Sequence, residues 1–193
     1  MARVATKEGA LVRFANWYSR RSVGREVEMA GVIGHTPWNM IGWGALEFGV
    51  EHSHKVDERL KALAATKAAT AIGCEFCIDI GSAIGRREGV TEEQLRDFHN
   101  YRESDAFSEL DKLVMEYAEE MSKTNVEVSD ELFARLREHF DDAQIVELTT
   151  VIAIENFRAR LNNALEIAPA GFSEGAYCPL PDRAAVTSPN GAP

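Results

Sequence analysis

Up to about residue 167 the apolar residues recur at intervals of three and four, and the period-two alternation of strands is nearly absent. Such spacing puts the apolar side chains on one stripe when the segment coils as an α-helix and scatters them when it extends. Capping and turn residues interrupt the pattern where helices should stop and restart. The expected fold class is therefore all-α.

Residues 7–21 are expected to form a first amphipathic helix with Leu11, Phe14, Ala15 and Tyr18 on one side. Thr36 and Pro37, an N-cap and first-turn pair, open a helix through about Val50. The next runs from about Val56 to Ile72; its small side chains between Ala62 and Ala71 suit close helix contacts, and Gly73 stops it. Another begins at or just after Cys74 and continues to about Arg87, stopped by Gly89. Thr91 and Gln94 form a capping box for a short helix through about His99. Ser104 or Asp105 is expected to open a helix to about Ser122, and Ser129 one to Phe140. Asp141 starts a long last helix through about Ile167, with Ile145, Leu148, Ile152 and Leu161 facing the core. Five of the six prolines lie from Pro169 onward, so the remainder reads as an extended tail.

A chain of 193 residues is long enough for one sizeable core. Residues 1–168 are read as a single helical domain, of which 1–36 is an N-terminal extension, and 169–193 as a proline-rich C-terminal tail. No apolar run has the length of a membrane span, and the start lacks the apolar stretch of a secretory signal. A cytoplasmic protein is expected.

The net charge of −10 argues against a nucleic-acid binder, which needs a basic face to neutralise phosphates. The charge is uneven. Arg3, Lys7, Arg13, Arg20, Arg21 and Arg25 stand against Glu8 alone in the first 25 residues. That basic arm fits docking on the acidic body of its own chain or a neighbour; an organellar transit peptide and a merely solvated helix are the competing readings.

One motif carries chemistry: Cys74-Glu75-Phe76-Cys77. Cysteines three apart on a helix share a side, with Cβ atoms about 5–6 Å apart. A disulfide needs about 3.5–4.5 Å, so modest adjustment closes the bond. The helix start favours a thiolate, whereas Glu75 and Asp79 oppose one unless a cation compensates. Redox chemistry, a metal site and inert buried thiols are the three readings of the pair. Zinc wants about four ligands. Beyond the pair, only Cys178 and scattered histidines, among them His35, His52, His54 and His99, are available, with no second CxxC. A thioredoxin-like fold is excluded because the βαβ context is missing.

Gly73-Cys74-Glu75-Phe76-Cys77-Ile78-Asp79 behind an alanine-rich helix resembles the core motif of the alkylhydroperoxidase D/carboxymuconolactone decarboxylase family. Gly89-Val90-Thr91-Glu92-Glu93-Gln94-Leu95 is similar to a helix start of that family, and Asn156-Phe157-Arg158-Ala159-Arg160-Leu161-Asn162 resembles its recurrent Asn…Arg-Leu-Asn helix. The resemblance spans roughly residues 37–167, the family core. It implies an all-α homo-oligomer, commonly a trimer or hexamer. Separately, no cofactor and no metal are expected. In the peroxidase branch the second cysteine attacks a hydroperoxide and the first resolves it. Carried over, Cys77 is peroxidatic and Cys74 resolving. A small hydroperoxide or disulfide is then the substrate, and turnover draws on a dithiol reductant.

Two departures stand out. That branch carries a histidine four residues after the second cysteine and a glutamate twelve before the first; here these positions are Gly81 and Ala62. The pair relays the thiol proton, and general-base help of this kind contributes about 10²–10⁴-fold. Candidate substitutes are His52 or His54 ahead of the alanine-rich helix, and Glu155 with Arg158 on the last helix. The plainer readings are a solvated loop for the histidines and a salt bridge for Glu155 and Arg158. His99 reads as a helix-end residue, Cys178 as a bystander thiol, and Trp17, Trp38, Trp43 and Phe48 as core or subunit-interface anchors. Two alternatives stand beside the peroxidase. One is a cofactor-free decarboxylase or isomerase of a small lactone or organic acid, with Arg158 or Arg160 holding a carboxylate. The other is a non-enzymatic helical oligomer that has lost its relay.

Overall fold

Side chains at the helix ends set where this chain turns. The computed structural model describes residues 2–180, and among them are nine α-helices and no strand. They are α1 (Ala10–Val23), α2 (Glu28–Ile33), α3 (Pro37–Glu51), α4 (Glu58–Ile72) and α5 (Glu75–Arg87), followed by α6 (Glu92–Arg96), α7 (Glu109–Ser122), α8 (Asp130–Arg137) and α9 (Asp142–Leu165). A short 3-10 turn, Phe98–Asn100, links α6 to the next loop. Thr91 with Gln94 and Asp141 with Gln144 form reciprocal capping boxes, and the Ser129 side chain accepts from the Leu132 N–H. No helix among the described residues is long and apolar enough to cross a membrane.

Several expected boundaries move. The helix placed from Ser104 or Asp105 starts only after Ser108, whose hydroxyl accepts from Asp111 while Asp111 answers the Ser108 N–H. Ser104 is otherwise engaged: its hydroxyl donates to Asp97 and accepts from the Ala106 N–H. α8 ends at Arg137, short of Phe140, and α2 was not anticipated at all. In α1 it is Val12 that is buried, while Leu11, Phe14 and Tyr18 face outward. Of the proline-rich tail, residues 181–193 lie outside the described residues.

The alanine-rich α4 is the central helix and packs against α5, α7 and α9. Leu63, Ala64, Ala68 and Ala69 have no accessible surface, so neighbouring backbones approach closely. On one side α4 meets Phe98, Tyr101, Val114, Leu136, Leu148 and Ile152 in the larger apolar cluster. A buried ion pair ties it to α9. The Lys61 ammonium lies 2.9 Å from Glu147, which also accepts the N–H groups of Lys55 and Val56. Burial pushes the Glu147 carboxyl upward, and Lys61 with the Lys55 and Val56 N–H groups outweighs that to hold it below its usual range.

The basic N-terminal arm folds back on its own chain. Arg3 bonds Glu166 and the Ala164 carbonyl, and Arg25 reaches the Ala170 carbonyl and Glu174. The arm therefore grips the segment that follows α9, which runs back across α5.

Candidate active site

The cysteine pair owes its position to one glycine. Gly73 adopts φ +75° and ends α4, with its N–H on the Thr70 carbonyl and the Cys74 N–H on that of Ala69. This Schellman turn reverses the chain within one residue. Cys74 is thereby both the last bonded residue of α4 and the N-cap of α5, its sulfur accepting the Cys77 N–H at 3.2 Å. Cys77 occupies the first turn of α5. The two are joined as a disulfide with Cα atoms 5.2 Å apart. Both are buried, at 1 % and 4 % exposure, in the smaller apolar cluster with Met29, Val32, Ala69, Phe76, Ile78 and Ala159.

A residue outside the sequence-based candidates completes the site. Asn162 of α9 directs its amide Nδ2 at both sulfurs, 3.3 Å from Cys77 and 3.8 Å from Cys74. The side chain is buried, and its Oδ1 has no hydrogen-bond partner. Its signal was already in the sequence, as the last residue of the Asn…Arg-Leu-Asn stretch.

The acidic neighbours of the pair divide. Asp79 is buried, and its carboxylate accepts the N–H groups of Phe172 at 2.9 Å and Ser173 at 2.7 Å. Asp79 thus anchors the segment after α9 on α5, and the Ser173 hydroxyl returns a bond to the Asp79 carbonyl. Arg86 adds bonds to Ser173 and to the Tyr177 carbonyl. Phe172 then packs edge-on against Phe76, one of the two residues between the cysteines. Glu75 sits half-buried in the first turn of α5. Cys178, on the same strap, packs against the smaller cluster with its sulfur 3.6 Å from the Ser82 hydroxyl, and burial pushes its thiol pKa up.

The proposed substitutes for the missing relay are engaged elsewhere. His52 caps α3, bonded to the Phe48 carbonyl and stacked on the Phe48 ring; His54 pairs with Glu58. Both are exposed. Glu155 is buried and bonded to Arg158 at 2.9 Å, the intrahelical salt bridge that their spacing suggested. Arg158 also makes a two-pronged contact with Glu47 of α3, which in turn accepts from the Trp43 indole. Its guanidinium is thus already occupied by carboxylates. Arg160 is exposed and holds the Asn156 side chain at 2.6 Å. Arg158 is therefore not left as an open carboxylate clamp.

At Gly81 a Cβ would come within 2.9 Å of the Thr66 hydroxyl on α4, so a side chain there requires Thr66 to shift. Ala62 lies one turn before Thr66, buried. No group of three or more His, Cys, Asp or Glu side chains among the described residues is placed to hold a metal ion.

Comparison with known proteins agrees with this scaffold. Residues 39–120 match the model of the carboxymuconolactone decarboxylase family. The uncharacterized protein YnjA of Escherichia coli K12 is 31 % identical over 180 residues, covering 90 % of this chain and 93 % of YnjA. Among solved structures, the debrominase Bmp8 superposes with a TM-score of 0.79 at 19 % identity, covering 88 % of this chain and 94 % of its own. An alkylhydroperoxidase D core protein from Ralstonia eutropha JMP134, a peroxidase-related protein, gives 0.77 at 18 % identity over 89 % and 94 %.

Proposed function

The chain belongs to the carboxymuconolactone decarboxylase family, and on that scaffold we propose a thiol-dependent oxidoreductase that reduces a hydroperoxide or a disulfide through Cys77 and Cys74. The observation that carries this reading is a closed cysteine pair at a helix start with a buried amide on its sulfurs. The N–H groups of the first turn and the Asn162 amide both favour a thiolate at this place.

In the peroxide reaction the Cys77 thiolate attacks the terminal oxygen. The O–O bond breaks, the alkoxide leaves and takes a proton, and Cys77 becomes a sulfenic acid. The Cys74 sulfur then attacks that of Cys77; the disulfide forms, and the hydroxyl leaves as water. A dithiol reductant attacks the disulfide, passes through a mixed disulfide and departs oxidised, returning both thiols. A disulfide substrate follows the same exchange, with a thiol as the leaving group.

The test is a thiol count on fully reduced protein mixed with one equivalent of hydroperoxide. The expected result is rapid loss of two thiols per chain, with Cys178 still titratable. Loss no faster than for free cysteine would overturn the peroxidase assignment and move the search to disulfides. Brominated pyrroles join the panel because the debrominase Bmp8, which shares the fold, has also been solved with 2,3,4-tribromopyrrole.

The protein acts as a homo-oligomer in this reading, a trimer or hexamer. α3 is apolar along its length, yet none of its residues is buried within the chain. Trp38 is 83 % exposed and Phe48 59 %, alongside Phe14 and Trp17 of α1. Exposed apolar area of this kind marks an interface. Trp38→Glu is expected to shift sedimentation from the oligomer to the monomer; an unchanged sedimentation coefficient would exclude α3 from the contact.

A further inference from the structure

Among the described residues Asn162 is the buried polar side chain that touches both sulfurs, and half of its amide is unused. An unpaired carbonyl oxygen in a dry site is a standing cost, normally avoided in native structures. Here the cost belongs to the oxidised state. A disulfide sulfur carries no hydrogen, so neither cysteine has anything to donate to Oδ1. Two-electron reduction with uptake of one proton separates the sulfurs into one thiolate and one thiol. One sulfur, as a thiolate, takes the Nδ2 hydrogen; the other, as a thiol, supplies the S–H that Oδ1 lacks.

We propose that Asn162 is a positioning residue that biases the Cys74–Cys77 couple toward the dithiol, using both ends of its amide in the reduced state and only one in the disulfide. This rests on the redox reading of the pair, and it deepens that reading by naming the group that sets how oxidising the couple is. Apart from the Cys77 N–H that the Cys74 sulfur accepts, the apolar neighbours leave the role to this side chain. Met29, Val32, Ala69, Ile78 and Ala159 supply no polar atom, and the Asp79 carboxylate is taken by the backbone of the strap. The orphan is accordingly a feature of the mechanism: it makes the disulfide easier to reopen by the external dithiol, the step that completes each cycle.

The experiment is a redox titration of the full chain in dithiothreitol buffers of fixed ratio, read by alkylation and mass of the Cys74–Cys77 peptide. Asn162→Leu keeps the volume and removes both polar atoms. It is expected to move the equilibrium toward the disulfide by about tenfold or more, which for this two-electron couple is about 30 mV. Asn162→Ala serves if the leucine variant does not fold. Asn163→Ala, at an exposed neighbour whose amide reaches the Ile72 carbonyl, is the control and should not move it. A purely structural asparagine would lower stability in both redox states and leave the potential in place; a shift under twofold in either folded variant would overturn the proposal. A wild-type pair that fails to titrate as a couple would remove the redox reading of the site together with this inference, whereas a couple that titrates normally without the Asn162 effect removes this inference alone.

Discussion

Cys77→Ser is expected to lower kcat/KM for a hydroperoxide by on the order of 10³-fold or more, because it removes the sulfur nearer to the Asn162 amide and also the partner that Cys74 needs. A serine hydroxyl at that place is neither ionised at neutral pH nor able to accept the two-electron oxidation. Cys74→Ser should fail differently. The Cys77 thiolate survives, one equivalent of peroxide is consumed, and the enzyme stops as a sulfenic acid that dimedone traps. Steady-state turnover is lost in both variants, so the discriminating measurement is the single-turnover trace. The N-cap position of Cys74 gives the reverse assignment a physical basis, since its sulfur already receives the Cys77 N–H. A stable sulfenic acid in Cys77→Ser and none in Cys74→Ser would show that Cys74 attacks.

What the sequence disclosed and what it hid follow from the range of the interactions. Caps act within four residues, so Thr91–Gln94, Ser129 and Asp141–Gln144 marked their helix starts correctly. Ser104 misled because its hydroxyl had a better partner in Asp97, seven residues back. Periodicity reports that a helix has an apolar stripe, and says nothing of what covers it. The outward stripe of α1, with Phe14 and Trp17, therefore looked no different from a core face. The cysteine motif was legible because both residues sit in one turn. Asn162 stood in a recognised stretch, but its contact with sulfurs 85 and 88 residues away was not. The strap escaped notice for the same reason: a carboxylate that reads as an unfavourable neighbour of the thiols is consumed by two N–H groups beyond α9.

Arg158→Met should cost about 3–5 kcal/mol at alkaline pH, the range for a buried carboxylate deprived of its cation. In a chain of this size that is roughly a 10 °C fall in Tm. Arg158 serves two carboxylates that respond oppositely. Burial raises Glu47, whose side chain is 34 % exposed, but the guanidinium outweighs burial and holds its carboxyl below the usual value. Glu155, with a side chain only 8 % exposed, is pushed up by burial despite the same arginine. The linkage signs are therefore opposite. The Glu47 contribution is present above the ordinary glutamate pKa and lost as pH falls through its lower folded value. The folded chain keeps the Glu155 proton longer than the unfolded one, so stability falls as pH rises from the ordinary glutamate pKa toward its higher folded value. Without Arg158 the Glu155 carboxyl rises further, and the loss should be smaller near pH 5, closer to the ordinary glutamate pKa, than at pH 8. Glu155→Gln in the same background removes the ionisable group and should restore much of the loss at pH 8 while flattening the slope. Urea unfolding of the wild type and the two variants at both pH values makes the comparison. An Arg158→Met penalty below about 1 kcal/mol at pH 8, or one that does not vary with pH, would mean that the cluster is hydrated and that burial does not govern Glu155.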